Sequence, residues 1–268
     1  MKKPTQLMAG RRGLIMGVAN DHSIAWGIAK AVAAEGAELA FTYQNEAISR
    51  RVRPLAESLC SKLIMACDVE DPESLDRVFG DIEAYWGGLE FVVHAIAYSD
   101  KEELKGRYVD TSQENFLRTM LISCYSFTAV TQRAAGLMGE GGSLVTLTYH
   151  GAERVMPNYN VMGVAKAALE ASVRYLAADL GPLGMRVNAI SAGPMRTLAG
   201  SAVRSARYVY NFNREHAPLR RNVVLEDIGG AGLYLLSELS GGVTGSTHYV
   251  DGGFHVIGMP GPDEDAES

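Results

Sequence analysis

Two phenols and an amine share one short stretch, Tyr149-His-Gly-Ala-Glu-Arg-Val-Met-Pro-Asn-Tyr159-Asn-Val-Met-Gly-Val-Ala-Lys166. Tyr159 and Lys166 are seven residues apart. At about 100° per residue that is two helical turns, roughly 20° short of eclipsed, so on a helix both side chains leave one face. An ammonium beside a phenol favours partial negative charge on the phenol oxygen. It makes the phenol a better donor to an oxyanion forming on a substrate. Tyr149 follows the apolar run Ser143-Leu-Val-Thr-Leu-Thr148, which reads as a strand, and can reach the same pocket from the strand side.

The elements that must position this set alternate along the chain. Strands are expected at 13–18, 38–43, 62–67, 89–94, 143–148, 185–190 and 248–251. Helices are expected at 23–35, at 71 onward, over 112–138 as one long element, from Tyr159 to about 180, and at 226–236. Ser23 is a natural N-cap and Gly36 a natural stop. Asp71-Pro72 opens a helix with a cap and a first-turn proline. Such alternation builds a parallel sheet covered on both faces. The expected fold is α/β: a Rossmann-like, doubly wound, seven-stranded parallel sheet with helices on both faces, in a single domain.

In such a sheet ligands gather at the carboxyl ends of the strands. The first strand, a glycine-containing turn with Gly17, and a helix beginning at Ser23-Ile24 make a diphosphate site, because a helix N-terminus offers free N–H groups. The spacing is not G-x-G-x-x-G. Gln44 ends the second strand, where an adenosine ribose would lie. It is neither an acid nor an arginine but can bond a hydroxyl, and the nearest cations, Arg50 and Arg51, lie into the next helix. NAD is therefore expected over NADP. Asp68 can accept from an adenine amino group, with Val69 packing on the ring. Ile96 follows the fourth strand among small residues that let a flat ligand lie close. Residues 200–222, small and polar with scattered Tyr and Arg, are expected to form a mobile lid.

Composition limits the alternatives. The chain has 268 residues, 47% of them hydrophobic and 21% charged, enough for a sizeable core. A net charge of −6 without a dense basic block argues against nucleic acid. Cys60, Cys67 and Cys124 show no metal-like spacing and are expected to be reduced thiols, which points to a cytoplasmic protein. The six histidines are not paired at ligand spacing, so no metal is expected. No membrane span and no signal peptide are expected. Residues 259–268 are expected to be a solvated acidic tail after a domain spanning 1–258.

The chain resembles the bacterial enoyl-acyl-carrier-protein reductases, a divergent branch of the short-chain dehydrogenase/reductase superfamily. The resemblance covers roughly residues 9 to 258. Its most specific piece is Gly151 to Lys166, followed by Asn188-Ala-Ile-Ser-Ala-Gly-Pro-Met-Arg-Thr-Leu-Ala199 and by Gly17-Val-Ala-Asn-Asp-His-Ser-Ile-Ala-Trp-Gly27. The ordinary superfamily pattern has Lys four residues after Tyr. Here position 163 is Gly and the lysine is at 166, the reductase branch's spacing. The resemblance implies reduction of a trans-2-enoyl thioester by NADH, with Tyr159 as donor, Tyr149 as second active-site tyrosine and Lys166 on the nicotinamide ribose. It implies that Gly17, Ser23, Ile24, Gln44, Asp68, Val69, Ile96, Met195, Arg196, Thr197, Leu198 and Ala199 hold the cofactor and that Ser99 lines the acyl pocket. Ala97 and Tyr98 stand where relatives often have Gly and Phe. An acyl carrier protein as substrate carrier and a homotetramer are implied too. A ketone reductase of the same fold is the rival, and a non-enzymatic dinucleotide sensor a more distant one.

Overall fold

Successive residues of β1 (Arg12–Met16) point into two different cores, Leu14 and Met16 into one and Ile15 into the other. The same alternation recurs in β4 (Phe91–His94) and β5 (Gly142–Thr148), as a sheet buried on both faces requires. With β2 (Glu38–Tyr43), β3 (Leu63–Ala66), β6 (Met185–Ala192) and β7 (Thr247–Val250), they make one seven-stranded sheet in the order β3-β2-β1-β4-β5-β6-β7. All six pairings are parallel. The computed structural model describes residues 5–139, 141–197, 205–259 and 261.

Helices α1 (Ile24–Ala34), α2 (Glu46–Ser58) and α8 (Leu225–Leu236) cover one face of the sheet. Helices α3 (Pro72–Trp86), α5 (Ser126–Leu137) and α6 (Asn160–Leu180) cover the other. Their starts are locally encoded: Asn45 caps α2, Asp71 caps α3, and Ser112 caps α4 (Gln113–Met120), each side chain accepting from a first-turn N–H. At the strand starts, Arg12 pairs with Glu90 at 2.6 Å and also donates to the Trp86 carbonyl. Arg186 donates to the carbonyls of Leu235 and Ser237.

One expectation about elements needs correcting. The single helix expected over 112–138 is α4 and α5 joined by a π-helical turn, Leu121–Tyr125. Within and just after it, Ser126 Oγ donates to the Ile122 carbonyl, and Ser123 Oγ leaves the helix to serve the loop after β4. The segment expected to form a mobile lid, for which no element was expected, contains helix α7 (Ala206–His216). Its Tyr208, Phe212 and His216 stack at i, i+4 and i+8, and Phe212 also meets Phe254. Residues 198–204 lie outside the described residues.

Candidate active site

β5 ends at Thr148, a short 3-10 turn (His150–Ala152) follows, and α6 then starts just after Tyr159. This return brings Tyr159 back over the strand end it left. The rings of Tyr149 and Tyr159 meet edge to face with centroids 5.1 Å apart. Gly151 makes room for the turn: a Cβ there would lie 2.4 Å from the Tyr159 ring. Gly163 does the same one turn into α6, where a Cβ would be 2.7 Å from the Gly151 carbonyl oxygen. A lysine at 163, four residues after Tyr159, cannot be seated against that backbone.

Lys166 is buried, and its Nζ donates to the Leu147 carbonyl at 2.8 Å, one residue before the strand ends. The ammonium is therefore bolted to β5 rather than bonded to the Tyr159 hydroxyl. Tyr159 itself is the residue preceding the helix, with its backbone already in the right-handed helical region. Among the described residues neither phenol hydroxyl has a hydrogen-bond partner, which leaves both for a ligand. Burial raises the pKa of both phenols, and the Glu170 charge adds to the rise at Tyr159. Both stay protonated at neutral pH. Burial also pulls the Lys166 amine down to about 8, with Cys124 and Glu170 opposing it.

Beneath this group His94 is fully buried between Thr146 Oγ1 (3.1 Å) and Ser126 Oγ (2.9 Å). Ser126 gives its proton to the Ile122 carbonyl, so it accepts from His94 Nε2–H, while the single Thr146 hydroxyl proton is shared between His94 Nδ1 and the His94 carbonyl at 3.2 Å. Burial first, and then the Lys166 charge, push the imidazole down to about 3. It is a neutral structural group.

The other predicted residues lie where the strands finish. Gly17 follows β1 at φ +96°, and a Cβ there would sit 2.1 Å from the Ala95 carbonyl oxygen, so only glycine closes this loop onto β4. Ser23 precedes α1, but its hydroxyl does not cap the helix. It accepts instead from the N–H groups of Ala19 and Asn20, at 3.0 and 3.1 Å. The first N–H groups of α1, at Ile24 and beyond, are left without a side-chain cap, as an anion-binding helix end needs. Gln44 is exposed just beyond β2, and Arg50 is paired with Glu46 at 3.6 Å. Asp68 and Val69 lie beyond β3, and the Asp68 carboxylate accepts from the Glu70 N–H at 3.0 Å. Ile96 is half-buried beyond β4.

Met195 and Arg196 line a cavity of about 180 Å³ with His22, Tyr210 and Val223. The Arg196 guanidinium lies over the Tyr210 ring at 4.8 Å. Thr197 is the last described residue there; Leu198 and Ala199 lie outside the described residues. These positions span the sheet from β3 to β6 across the switch between β1 and β4, the length an extended dinucleotide occupies. Tyr149, Tyr159 and Lys166 stand at the β5 end of that span, while Gln44 and Asp68 stand at the far end.

Spacing alone missed the residues that hold the loop after β4. Ser123 Oγ accepts from Tyr98 N–H (2.9 Å) and donates to Tyr98 O (3.0 Å), and Asn115 bonds both Ser99 Oγ and Asp100 N–H. A signal was present. Asn115, Thr119, Ser123 and Ser126 form a polar stripe at helical spacing in a segment otherwise rich in apolar residues, and all four are buried.

The family model described as Enoyl-(Acyl carrier protein) reductase matches residues 17–255. The chain is 64% identical to enoyl-acyl-carrier-protein reductase (NADH) 2 of Rhizobium meliloti over 254 residues, covering 95% of each chain. The crystal structure of the enoyl-acyl-carrier-protein reductase of Anaplasma phagocytophilum in complex with NAD aligns with a TM-score of 0.92 at 60% identity, over 96% of this chain and 98% of that one. The corresponding protein of Candidatus Liberibacter asiaticus aligns with a TM-score of 0.93 at 56% identity, over 95% and 99%.

Proposed function

The chain belongs to the enoyl-(acyl carrier protein) reductase family, and from that premise we propose how its own residues divide the work. It is an NADH-dependent oxidoreductase that reduces the trans-2 double bond of an enoyl thioester carried on acyl carrier protein. Bound NADH supplies a hydride from C4 of its nicotinamide to the substrate's β-carbon. Negative charge then moves to the thioester oxygen as an enolate. Tyr159, protonated at neutral pH, donates to that oxygen. Because the charge exists mainly in the transition state, such a donor lowers the barrier more than it tightens binding. Tyr149 supports the Tyr159 ring edge to face and shares the pocket.

Lys166 has three N–H donors and uses one on Leu147, so two remain for the nicotinamide ribose hydroxyls. Gly17, Ser23 and Ile24 surround the diphosphate, Gln44 meets the adenosine ribose, and Asp68 and Val69 hold the adenine. Ile96 and the 195–199 segment hold the nicotinamide half. Ser99 lines the acyl pocket. The α-carbon takes its proton by way of solvent. The observation that supports this assignment is the buried Lys166 amine held at the end of β5 beside the Tyr149–Tyr159 pair, with Gly163 packed on Gly151 where a side chain would meet the backbone. The test is NADH against NADPH oxidation with a crotonyl thioester and with a ketone. NADH and the thioester should be strongly preferred; ketone turnover would overturn the assignment.

Residues 1–258 form one reductase domain in this proposal, with a lid at about 195–222 and an acidic tail at 259–268. Arg196, Arg204, Arg207, Arg214, Arg220 and Arg221 around the lid receive the acidic carrier protein. A homotetramer is supported by Leu117, Leu121 and Tyr125, which form an exposed apolar stripe at i, i+4, i+8, with Val164 and Tyr175 exposed on α6. No helix among the described residues is long and apolar enough to cross a membrane. The three cysteines are free thiols, which suits the proposed cytoplasmic site.

A further inference from the structure

α6 carries a second buried ionisable side chain one turn beyond Lys166, and the reaction outlined above does not use it. Glu170 is 8% exposed, and its Oε1 accepts a 2.6 Å hydrogen bond from Thr148 Oγ1. Thr148 is the last residue of β5, between Leu147, whose carbonyl accepts the Lys166 hydrogen bond, and Tyr149. Two neighbouring side chains of one helix thus clamp two consecutive residues of one strand end. Lys166 donates down to the strand; Glu170 accepts from it.

We propose that Glu170 is a positioning residue of this site, a buried countercharge that keeps the Lys166 amine in its cation form and fixes the strand end that carries Tyr149. Burial raises the Glu170 carboxyl above its ordinary range, and the Thr148 hydrogen bond, Arg174 and Lys166 pull the other way, toward the carboxylate. The groups facing it are Thr148 at the end of β5, Glu153 after the 3-10 turn, and Lys166 and Arg174 on its own helix. Its charge also reaches Tyr159 and, on β7, Tyr249. The groups facing Lys166 are Cys124 on the π turn, Glu170, and the neutral His94 on β4. Of these, Glu170 and Cys124 favour the ammonium; among described residues Glu170 is the one carboxylate acting on it. The same negative charge resists ionisation of Tyr159. One carboxylate therefore holds both proton-bearing groups in the forms the reduction requires, without touching substrate or cofactor.

The inference rests on Lys166 binding the nicotinamide ribose, so the test separates the two. NADH dissociation constants are measured by fluorescence from pH 5 to 10, together with the pH profile of Lys166 acetylation by acetic anhydride in the cofactor-free protein, read by mass spectrometry. In the unmodified protein NADH affinity should fall, and acetylation rise, as pH passes about 8. Glu170→Gln keeps an acceptor for Thr148 but removes the charge. Both transitions should move to lower pH by about one unit, and Glu170→Asp should restore them. Thr148→Val withdraws the donor and should let Glu170 take up a proton at higher pH, adding an acid-side loss of NADH affinity. Transitions that stay in place in both Glu170→Gln and Thr148→Val overturn the inference, even if melting temperatures fall. Unchanged NADH affinity in Lys166→Ala would instead remove the assignment beneath it.

Discussion

The Tyr159 hydroxyl, the Lys166 amine and the His94 imidazole are buried in one neighbourhood yet have three different proton affinities, each set by its contacts. Tyr159 is protonated because burial and the Glu170 charge both oppose a phenolate. Tyr159→Phe keeps the ring against Tyr149 and removes the donor, so it should lower kcat by about 10²–10³-fold with little change in NADH affinity. Lys166→Ala should act in the opposite pattern, losing NADH binding first. Steady-state kinetics with titrated cofactor distinguishes the two patterns, and identical losses in both variants would count against the division of roles. His94 gives a prediction about stability. Its folded pKa, about 3, lies below the ordinary 6.5 of a free imidazole. Between those values the unfolded chain binds a proton that the folded chain refuses, so stability falls as pH drops from 6.5 toward 3. The slope reaches about 1.4 kcal/mol per pH unit. His94→Gln should flatten that slope in urea denaturation series at stepped pH.

At the scale of elements, the π turn is the part whose role is most open to test. It lets Ser123 leave the helix and grip both backbone groups of Tyr98, next to Ser99. Ser123→Ala should leave a backbone N–H and C=O unpaired and cost about 1–3 kcal/mol. The thioester KM should rise more than kcat falls if the loosened loop lines the acyl pocket as proposed. An unchanged KM in Ser123→Ala would show that this loop is held by other contacts. The π turn was not legible in the sequence: a run such as Leu121-Ile-Ser-Cys-Tyr125 has ordinary helical composition, and one extra residue per turn leaves no local signature. The polar stripe through Asn115, Thr119, Ser123 and Ser126 was legible but reads as any buried polar face until its partners are known. Helix α7 was obscured by its polar composition, although Tyr208, Phe212 and His216 hold the helical period. The strands were legible to within one or two residues, because Val, Ile and Leu runs buried on both faces leave no other reading. The relation between Tyr159 and Lys166 was only half legible. Their spacing predicts one helical face, but it cannot show that the amine is held by the Leu147 carbonyl or that the Tyr159 ring packs on Tyr149, contacts made across the chain to the end of β5.

The whole molecule adds an association surface and a polarity. Leu117, Leu121 and Tyr125 form one exposed stripe beside the helices that carry the site. Leu121→Arg should split the proposed tetramer into smaller species by sedimentation velocity, with lower thermal stability and reduced NADH affinity if the site leans on that interface. A tetramer surviving this change would move the interface elsewhere. The polarity comes from the sheet: with every pairing parallel, all seven strands finish on one rim and begin on the other. The beginning rim is secured by Arg12 on Glu90 and by Arg186 on Leu235 and Ser237, far from any phenol or amine that reacts. Robustness and reactivity are thus lodged at opposite poles, and evolution or an engineer can adjust one without bargaining against the other. Substitutions around Arg12 and Arg186 should raise or lower the melting temperature while turnover at moderate temperature holds steady.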